Sequence, residues 1–445
     1  MSAPQRLDHV VGDATGLRIP AHIGALLADG PAFLTRAFHR FGALDAANQV
    51  TAILGHRVCP GGSTGAKFFM DVACALPQPG LPTRLFVKFS RDFDDPRRDW
   101  QRHEMEGEAR LGPLTRRPGF PVAVPQVLFC DYHAETGTGL VITECVTYGE
   151  AGIEPHRRKC LDPVHTPDPL PYYRATVTAL ARLAAADKAG ALGADIDARF
   201  PFDPVAASAD RVFTSAAEMA QQLRDCVALV NDAPQLFPAP VRDPAFLDRV
   251  VADAWRIRTH EERIQRFLTG NPDLIALCHW NAHIDNAFFW CDGDALRCGL
   301  IDWGRVGRIT LGSALWGGLS AAHHAIWDDH LEDLLALYAR EYAAHGGPWL
   351  TTEAMREHLA LHMAMMGVSR VIAFPEVIRF RDPAVITYPD PLDPRLHGND
   401  PARNCLHVFT VWLKFWHRHD FGAALDRLLA TPEQQAGERD ANPCR

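Results

Sequence analysis

The hydrophobic pattern changes period twice along the first third of the chain. Residues 31 to 44, PAFLTRAFHRFGAL, put Leu34, Ala37, Phe38 and Phe41 on one face, which predicts an amphipathic helix. From Gln49 the apolar positions fall into short runs rich in β-branched and aromatic residues: QVTAILGHRV, AKFFMDVACAL and TRLFVKFS, separated by turns with Gly and Pro. These predict three consecutive antiparallel strands. Helical spacing returns in DPRRDWQRHEMEGEARLGPL, where Trp100, Glu104, Gly107, Leu111 and Leu114 share a face. VAVPQVLFCDYHAETGTGLVITECV then predicts two more strands joined by a hairpin around Thr136 to Gly139.

The remainder reads as mostly helical, with segments at Tyr172 to Lys188, Pro244 to Leu268, Asp328 to His345, Thr352 to Val371 and Leu406 to His417. Two Pro-rich stretches interrupt it, Glu154 to Pro171 and Phe374 to Asn404. Both read as loops, and loops of the second's length are uncommon unless functional or disordered. No internal repeat or low-complexity tract is present. At roughly 150 residues per domain, 445 residues predict two or three units or one two-lobed protein.

Composition narrows the function classes. A chain with 47% hydrophobic and 22% charged residues is ordinary globular material. The formal net charge of −9 and a pI near 6.1 argue against a protein that grips phosphate backbones, so no nucleic-acid partner is expected. The eleven cysteines are scattered singly with no C-x-x-C pair, the pattern of reduced thiols. The opening MSAPQRLDHVVGDATG lacks a basic stretch followed by an apolar one, and no uninterrupted apolar run of about 18 residues occurs. The expectation is a cytoplasmic protein with no membrane segment. Nothing in the pattern specifies an oligomeric state.

Three places carry candidate chemistry. Lys88 lies in the otherwise apolar strand LFVKF, where a buried ammonium calls for an acidic or phosphate partner unless it snorkels from an edge strand. Glu104 on the next predicted helix faces the right way; Glu108 is one residue off that face and stays open. PGGSTGAKF holds a glycine-rich turn, Gly61, Gly62, Ser63, Thr64 and Gly65, between two strands, which reads either as a plain hairpin or as backbone amides near a phosphate. It does not match the Walker pattern. The third is CHWNAHIDNAFFW followed by CGLIDWGRVG. Asn286 precedes one apolar run and Asp302 ends the next, so two hard oxygen ligands of the kind Mg²⁺ takes would sit at adjacent strand ends.

The order of these features resembles the aminoglycoside phosphotransferase, choline kinase and ecdysteroid-kinase-like superfamily, small-molecule kinases with the protein-kinase fold. The resemblance covers roughly Gln49 to Leu319 and is most specific in the hairpin. It implies an α+β fold: residues 1–48 an N-terminal helical extension, 49–146 a lobe with a small antiparallel sheet and one main helix, and 147–445 a larger helical lobe. ATP would lie between the lobes, with the Gly61 to Gly65 turn over it, Lys88 on its phosphates, Glu104 orienting Lys88, and adenine against the hinge ITECV at Glu144 and Val146. ALARLAAAD, Ala179 to Asp187, is similar to that family's ALARLHA helix without the histidine.

The family's catalytic loop commonly reads H-G-D-x-x-x-x-N, followed by a metal strand I-D-W or I-D-F. Here His279, Asn286 and Asp302 match, the last two implied as Mg²⁺ ligands. Trp280 replaces the glycine, and Asn281 replaces the aspartate that accepts the substrate hydroxyl proton. An amide can orient a hydroxyl but forgoes a general-base contribution of roughly 10²- to 10⁴-fold. Asp285 is the candidate substitute carboxylate, with a loop-capping role as the alternative. The expectation is an ATP-dependent phosphotransferase acting on a hydroxyl of a small molecule. Two other classes stand beside it: a pseudokinase scaffold, favoured by Asn281, and a zinc-dependent hydrolase built on His279, His283 and Asp285. The hydrolase signature fails because Trp280 stands where H-E-x-x-H has glutamate.

Overall fold

The computed structural model describes residues 7–60, 65–99, 101–207 and 211–431. The chain divides into two compact units, one formed by Met1–Ala207 with Pro272–Met355 and the other by Ser208–Asn271 with Arg356–Arg445.

The first unit opens with a two-stranded hairpin, β1 (His9–Val11) and β2 (Arg18–Pro20), and helix α1 (Ile23–Arg40). The helix starts eight residues before the predicted Pro31, because the His22 ring caps Ala25 N and Gly30, at φ 60°, lets the chain kink and continue through Pro31. A five-stranded antiparallel sheet follows: β3 (Val50–Val58), β4 (Lys67–Cys74), β5 (Arg84–Phe89), β6 (Val127–His133) and β7 (Thr138–Glu144), in the order β3-β4-β5-β7-β6. Helix α2 (Arg102–Thr115) lies between β5 and β6 in sequence, starting later than predicted because Asp95 holds the preceding residues in turns through Arg97 N and the Arg91 and Arg97 side chains. Trp100 lies outside the described residues.

Both faces of the sheet are covered. Leu26, Phe33 and Phe38 of α1 pack with Val72, Leu85, Val87 and Phe89 on one face, and Met105 of α2 packs with Cys130, Tyr132 and Val141 on the other. Strand alternation therefore aims Lys88 at α2. After β7 come helix α3 (Leu170–Lys188) and four short strands, β8 (Ile275–Cys278), β9 (Ala287–Asp292), β10 (Ala295–Leu300) and β11 (Gly307–Thr310), paired β8 with β11 and β9 with β10. This mixture of one antiparallel sheet and a mainly helical remainder is the α+β class expected from the sequence.

The second unit is helical. Ala216–Asp232 opens on a capping box in which Ser215 and Glu218 satisfy each other's backbone N–H groups. Pro244–Thr259 and Glu261–Gly270 replace one predicted helix, which breaks at His260. Asp400–His419 and Phe421–Ala430 follow, with Trp412 edge-on to Trp416 and Trp416 tilted against Phe421 in the core. The predicted loop Phe374 to Asn404 contains helix Phe374–Arg381, whose Pro375 sits in the first turn, where its missing N–H costs nothing. The stretch Thr352–Arg381 is long and apolar enough to cross a membrane by length and composition alone, yet 67% of its 18-residue apolar window is buried inside the protein, as in a core helix.

Candidate nucleotide and catalytic site

The site gathers around Lys88. Its side chain, 2% exposed, donates to Glu108 of α2 and, at 2.6 Å, to Asp302 Oδ1. Burial works to lower the Lys88 pKa, but the two carboxylates outweigh it and hold the ammonium charged, above its ordinary value. Asp302 feels the converse: burial alone would raise it, and Lys88 together with Lys67 holds it well below the usual carboxylate range. Asp302 follows β10 in the left-handed conformation, φ 59°, which Asp tolerates better than most residues.

The expected pairing of Lys88 with Glu104 is replaced by Glu108. Met105 and Gly112 also turn inward, Gly112 so closely that a Cβ there would lie 2.4 Å from Cys130 Sγ. The buried arc of α2 is therefore wider than the face defined by Trp100 and Leu111, and it takes in Glu108 as well as Glu104. Glu104 pairs instead with Arg305 at 3.5 Å, and the Arg305 guanidinium stands 4.8 Å over the Trp280 ring.

The loop from His279 to Asn286 connects β8 to β9 and is held from three sides. His279 is fully buried; its Nδ1 accepts from Asn281 N at 3.1 Å, so Nε2 carries the proton given to Ile301 O at 3.0 Å. Burial pushes its pKa down to about 4, which keeps this neutral tautomer in place. Asn286 Nδ2 donates to Asn281 O at 2.8 Å, leaving the amide oxygen as the group available to a cation. Gly317, on helix Leu311–Leu319, approaches so closely that a Cβ would lie 1.9 Å from Trp280 O. That helix is buried all round and shows no polar face, which is why hydropathy did not reveal it.

Two oxygens in this loop are buried without a hydrogen-bond partner among the described residues, Asn281 Oδ1 and Asp285 Oδ1. Unpaired buried acceptors are uncommon and ask for a donor from a ligand. The other Asp285 oxygen lies 3.3 Å from Lys159 Nζ, and Asp285 O accepts from His156, so the first Pro-rich stretch is fastened to this loop. His283 bonds Ser320 Oγ at 2.8 Å while His279 bonds a backbone carbonyl, and among the described residues no three His, Cys, Asp or Glu side chains are grouped to hold a metal. The zinc reading has no ligand set there.

Gly61, Gly62, Ser63 and Thr64 lie outside the described residues. Gly65, at φ 42°, abuts the end of β5, where a Cβ would sit 1.7 Å from Phe89 O, so only glycine fits. Glu144 N donates to Gln126 O and Cys145 N to Arg84 O, both within the sheet. Sequence reasoning missed Asp187, whose carboxylate accepts from Leu277 N at 2.9 Å and from Arg308 at 2.8 Å, tying α3 to β8 and β11. It also missed Lys67, directly opposite Lys88 in the β4–β5 register. The sequence pattern marked AKFFMDVACAL as a strand, but not which residue of β5 each of its residues would meet.

Comparison with models of known protein families gives no match, and comparison with curated proteins gives none. Among solved structures, the chain is similar to choline kinase from Cryptosporidium parvum at 12% identity over 89% of this chain and 98% of that one, with a TM-score of 0.45. It is similar to a microcompartment-associated aminopropanol kinase at 12% identity over 84% and 94%, TM-score 0.43. A third is the spectinomycin phosphotransferase solved with ADP and spectinomycin, at 10% identity over 82% and 94%, TM-score 0.38. All three are small-molecule phosphotransferases by name. What this chain's site can do follows from its own side chains.

Proposed function

We propose that the protein is an ATP-dependent phosphotransferase acting on a hydroxyl of a small molecule. The observation that carries this reading is the buried Lys88 ammonium held between Glu108 and Asp302, on a strand whose last residue, Phe89, meets Gly65. A fully buried lysine kept charged by two acids is a ready anchor for phosphate oxygens. The residues fit a magnesium ion: Asp302 and the Asn286 amide oxygen are hard oxygen donors and would hold it. The ion supplies neutralisation of phosphate charge. Lys88 would bind the phosphates, Glu108 would orient Lys88, and the Glu144 carbonyl and Val146 amide would receive adenine.

In the transfer, a bond forms between the acceptor oxygen and the terminal phosphorus as the bond from that phosphorus to the ADP oxygen breaks; the hydroxyl proton leaves to a transferred phosphate oxygen or to water. The transition state is largely dissociative, so positioning outweighs proton abstraction. Asn281 Oδ1, buried and unpaired among the described residues, would accept the hydroxyl hydrogen, and Asp285, steadied by Lys159, would supply a carboxylate further along the same loop. His279 keeps the loop in register.

The competing reading is a nucleotide-binding scaffold without transfer, favoured by the amide at Asn281. Both readings are tested by thermal unfolding of wild type and Asp302→Ala with and without MgATP, since a ligand at about 100 times its Kd stabilises by roughly 2.7 kcal/mol. A wild-type rise that the variant loses supports the nucleotide site, and a screen of hydroxylated small molecules for ATP consumption then separates enzyme from scaffold. No rise in either protein removes the phosphotransferase reading.

A further inference from the structure

Lys67 is the first residue of β4 and pairs directly with Lys88 across the β4–β5 ladder. Directly paired residues share a sheet face, so both side chains project toward Asp302 and Glu108. Two ammoniums placed opposite one another repel, and such a pair weakens a sheet unless something offsets it. Asp302 and Glu108 attract both ammoniums but are bonded to only one. Lys88 donates to both Glu108 and Asp302, whereas the Lys67 ammonium makes no ion pair or side-chain hydrogen bond among the described residues. Lys67 is also only half-exposed, and burial lowers its pKa despite the pull of Asp302.

A cation that is partly desolvated, repelled by its neighbour and lacking an acid of its own is an incomplete site for a polyanion. Its position sets which part of a polyanion it meets. Lys67 begins the strand that leaves the glycine turn, and Gly65 is packed against Phe89 O, one residue beyond Lys88. The loop below contributes an amide at Asn281 and so adds no negative charge against a phosphate chain.

We infer that Lys67 is a second phosphate-binding cation, which together with Lys88 brackets the phosphate chain of the bound nucleotide and makes affinity depend on that chain. The inference rests on the nucleotide reading above and goes beyond it by naming a binding residue that the sequence pattern did not single out.

The test is isothermal titration of wild type, Lys67→Met, Lys67→Arg and Lys88→Met with MgATP, MgADP and adenosine. Loss of one charge-assisted contact weakens MgATP and MgADP binding about tenfold or more in Lys67→Met. Adenosine affinity stays within about twofold, because it offers no phosphate, and Lys67→Arg recovers most of the loss. Wild-type MgATP affinity in Lys67→Met overturns the inference while leaving the nucleotide site standing. An equal loss for adenosine also overturns it, since the lysine would then merely shape the sheet. Should Lys67→Met fail to fold, Lys67→Gln gives the same comparison. If wild type binds none of the three ligands while folded, the nucleotide reading itself falls, and this inference with it.

Discussion

Replacing Lys88 and its two candidate helix partners, singly and together, measures which acid the lysine uses. In Lys88→Met, Glu108 and Asp302 lose the ammonium bonded to both; Glu108 is 8% exposed and has little water to turn to. Breaking a buried pair in this way costs about 3–5 kcal/mol. Glu108→Leu costs less, about 1–3 kcal/mol, because Lys88 keeps Asp302 at 2.6 Å. The double variant removes both sides of the contact, so the two losses overlap and the coupling energy is about 1–3 kcal/mol. Glu104→Leu releases Arg305, 3.5 Å away, and its cycle with Lys88→Met closes to within about 0.5 kcal/mol. The assay is urea unfolding followed by tryptophan fluorescence and by circular dichroism, with midpoints compared at unchanged m-value. A Glu104 coupling equal to or larger than that of Glu108 would refute the assignment.

Restoring a carboxylate in Asn281→Asp should raise phosphate transfer to a working acceptor by at least about tenfold, read as ADP release; an unchanged rate with intact MgATP binding would show that the loop orients the hydroxyl without taking its proton. On the proposed role of Asp285, Asp285→Asn should raise KM for the acceptor more than it lowers kcat, because the change loosens the contact with Lys159; unchanged kinetics would make Asp285 a loop cap. Gly317→Ala forces a methyl into Trp280 O and should cost about 1–3 kcal/mol and blunt the MgATP thermal shift; normal stability would contradict the close approach. His362 is fully buried with both ring nitrogens unpaired among the described residues, and burial pushes it to about 3, while His358 on the same helix falls to about 4. Their folded pKa values lie below the ordinary 6.5, so protons bind the unfolded chain first. Stability is full above about pH 6.5 and falls as the pH drops toward 4. His362→Leu should raise the unfolding free energy at pH 7 by about 1–3 kcal/mol, read as a higher urea midpoint, and flatten this acid slope; a lower midpoint would show that the ring has a partner.

Several parts of this molecule were legible from residue order alone. The period of hydrophobic positions placed all five strands of the sheet and helix α3 almost to the residue, because a strand with both faces covered still announces itself by β-branched runs and flanking turns. Lys88 stood out because a lone ammonium in an apolar strand must be matched. The loop from His279 to Asn286 and the turn at Asp302 stood out for the same reason: polar residues crowd where apolar strands end.

Partnership was decided elsewhere. A helix of one turn per 3.6 residues offers Glu104 and Glu108 to nearly the same direction, and only the packing of Met105 and Gly112 on the sheet fixes which one reaches Lys88. The strand holding Lys67 was legible, but strand register, set by hydrogen bonds between segments apart in sequence, brought Lys67 opposite Lys88. Helix Leu311–Leu319, apolar on every side, carried no periodic signal, and yet its Gly317 is what lets the loop at Trp280 lie where it does. The sequence by itself determined which residues needed partners, through the cost of burying charge; the tertiary structure alone decided who the partners are, because distance in a packed core is set by the shapes of all the neighbours at once.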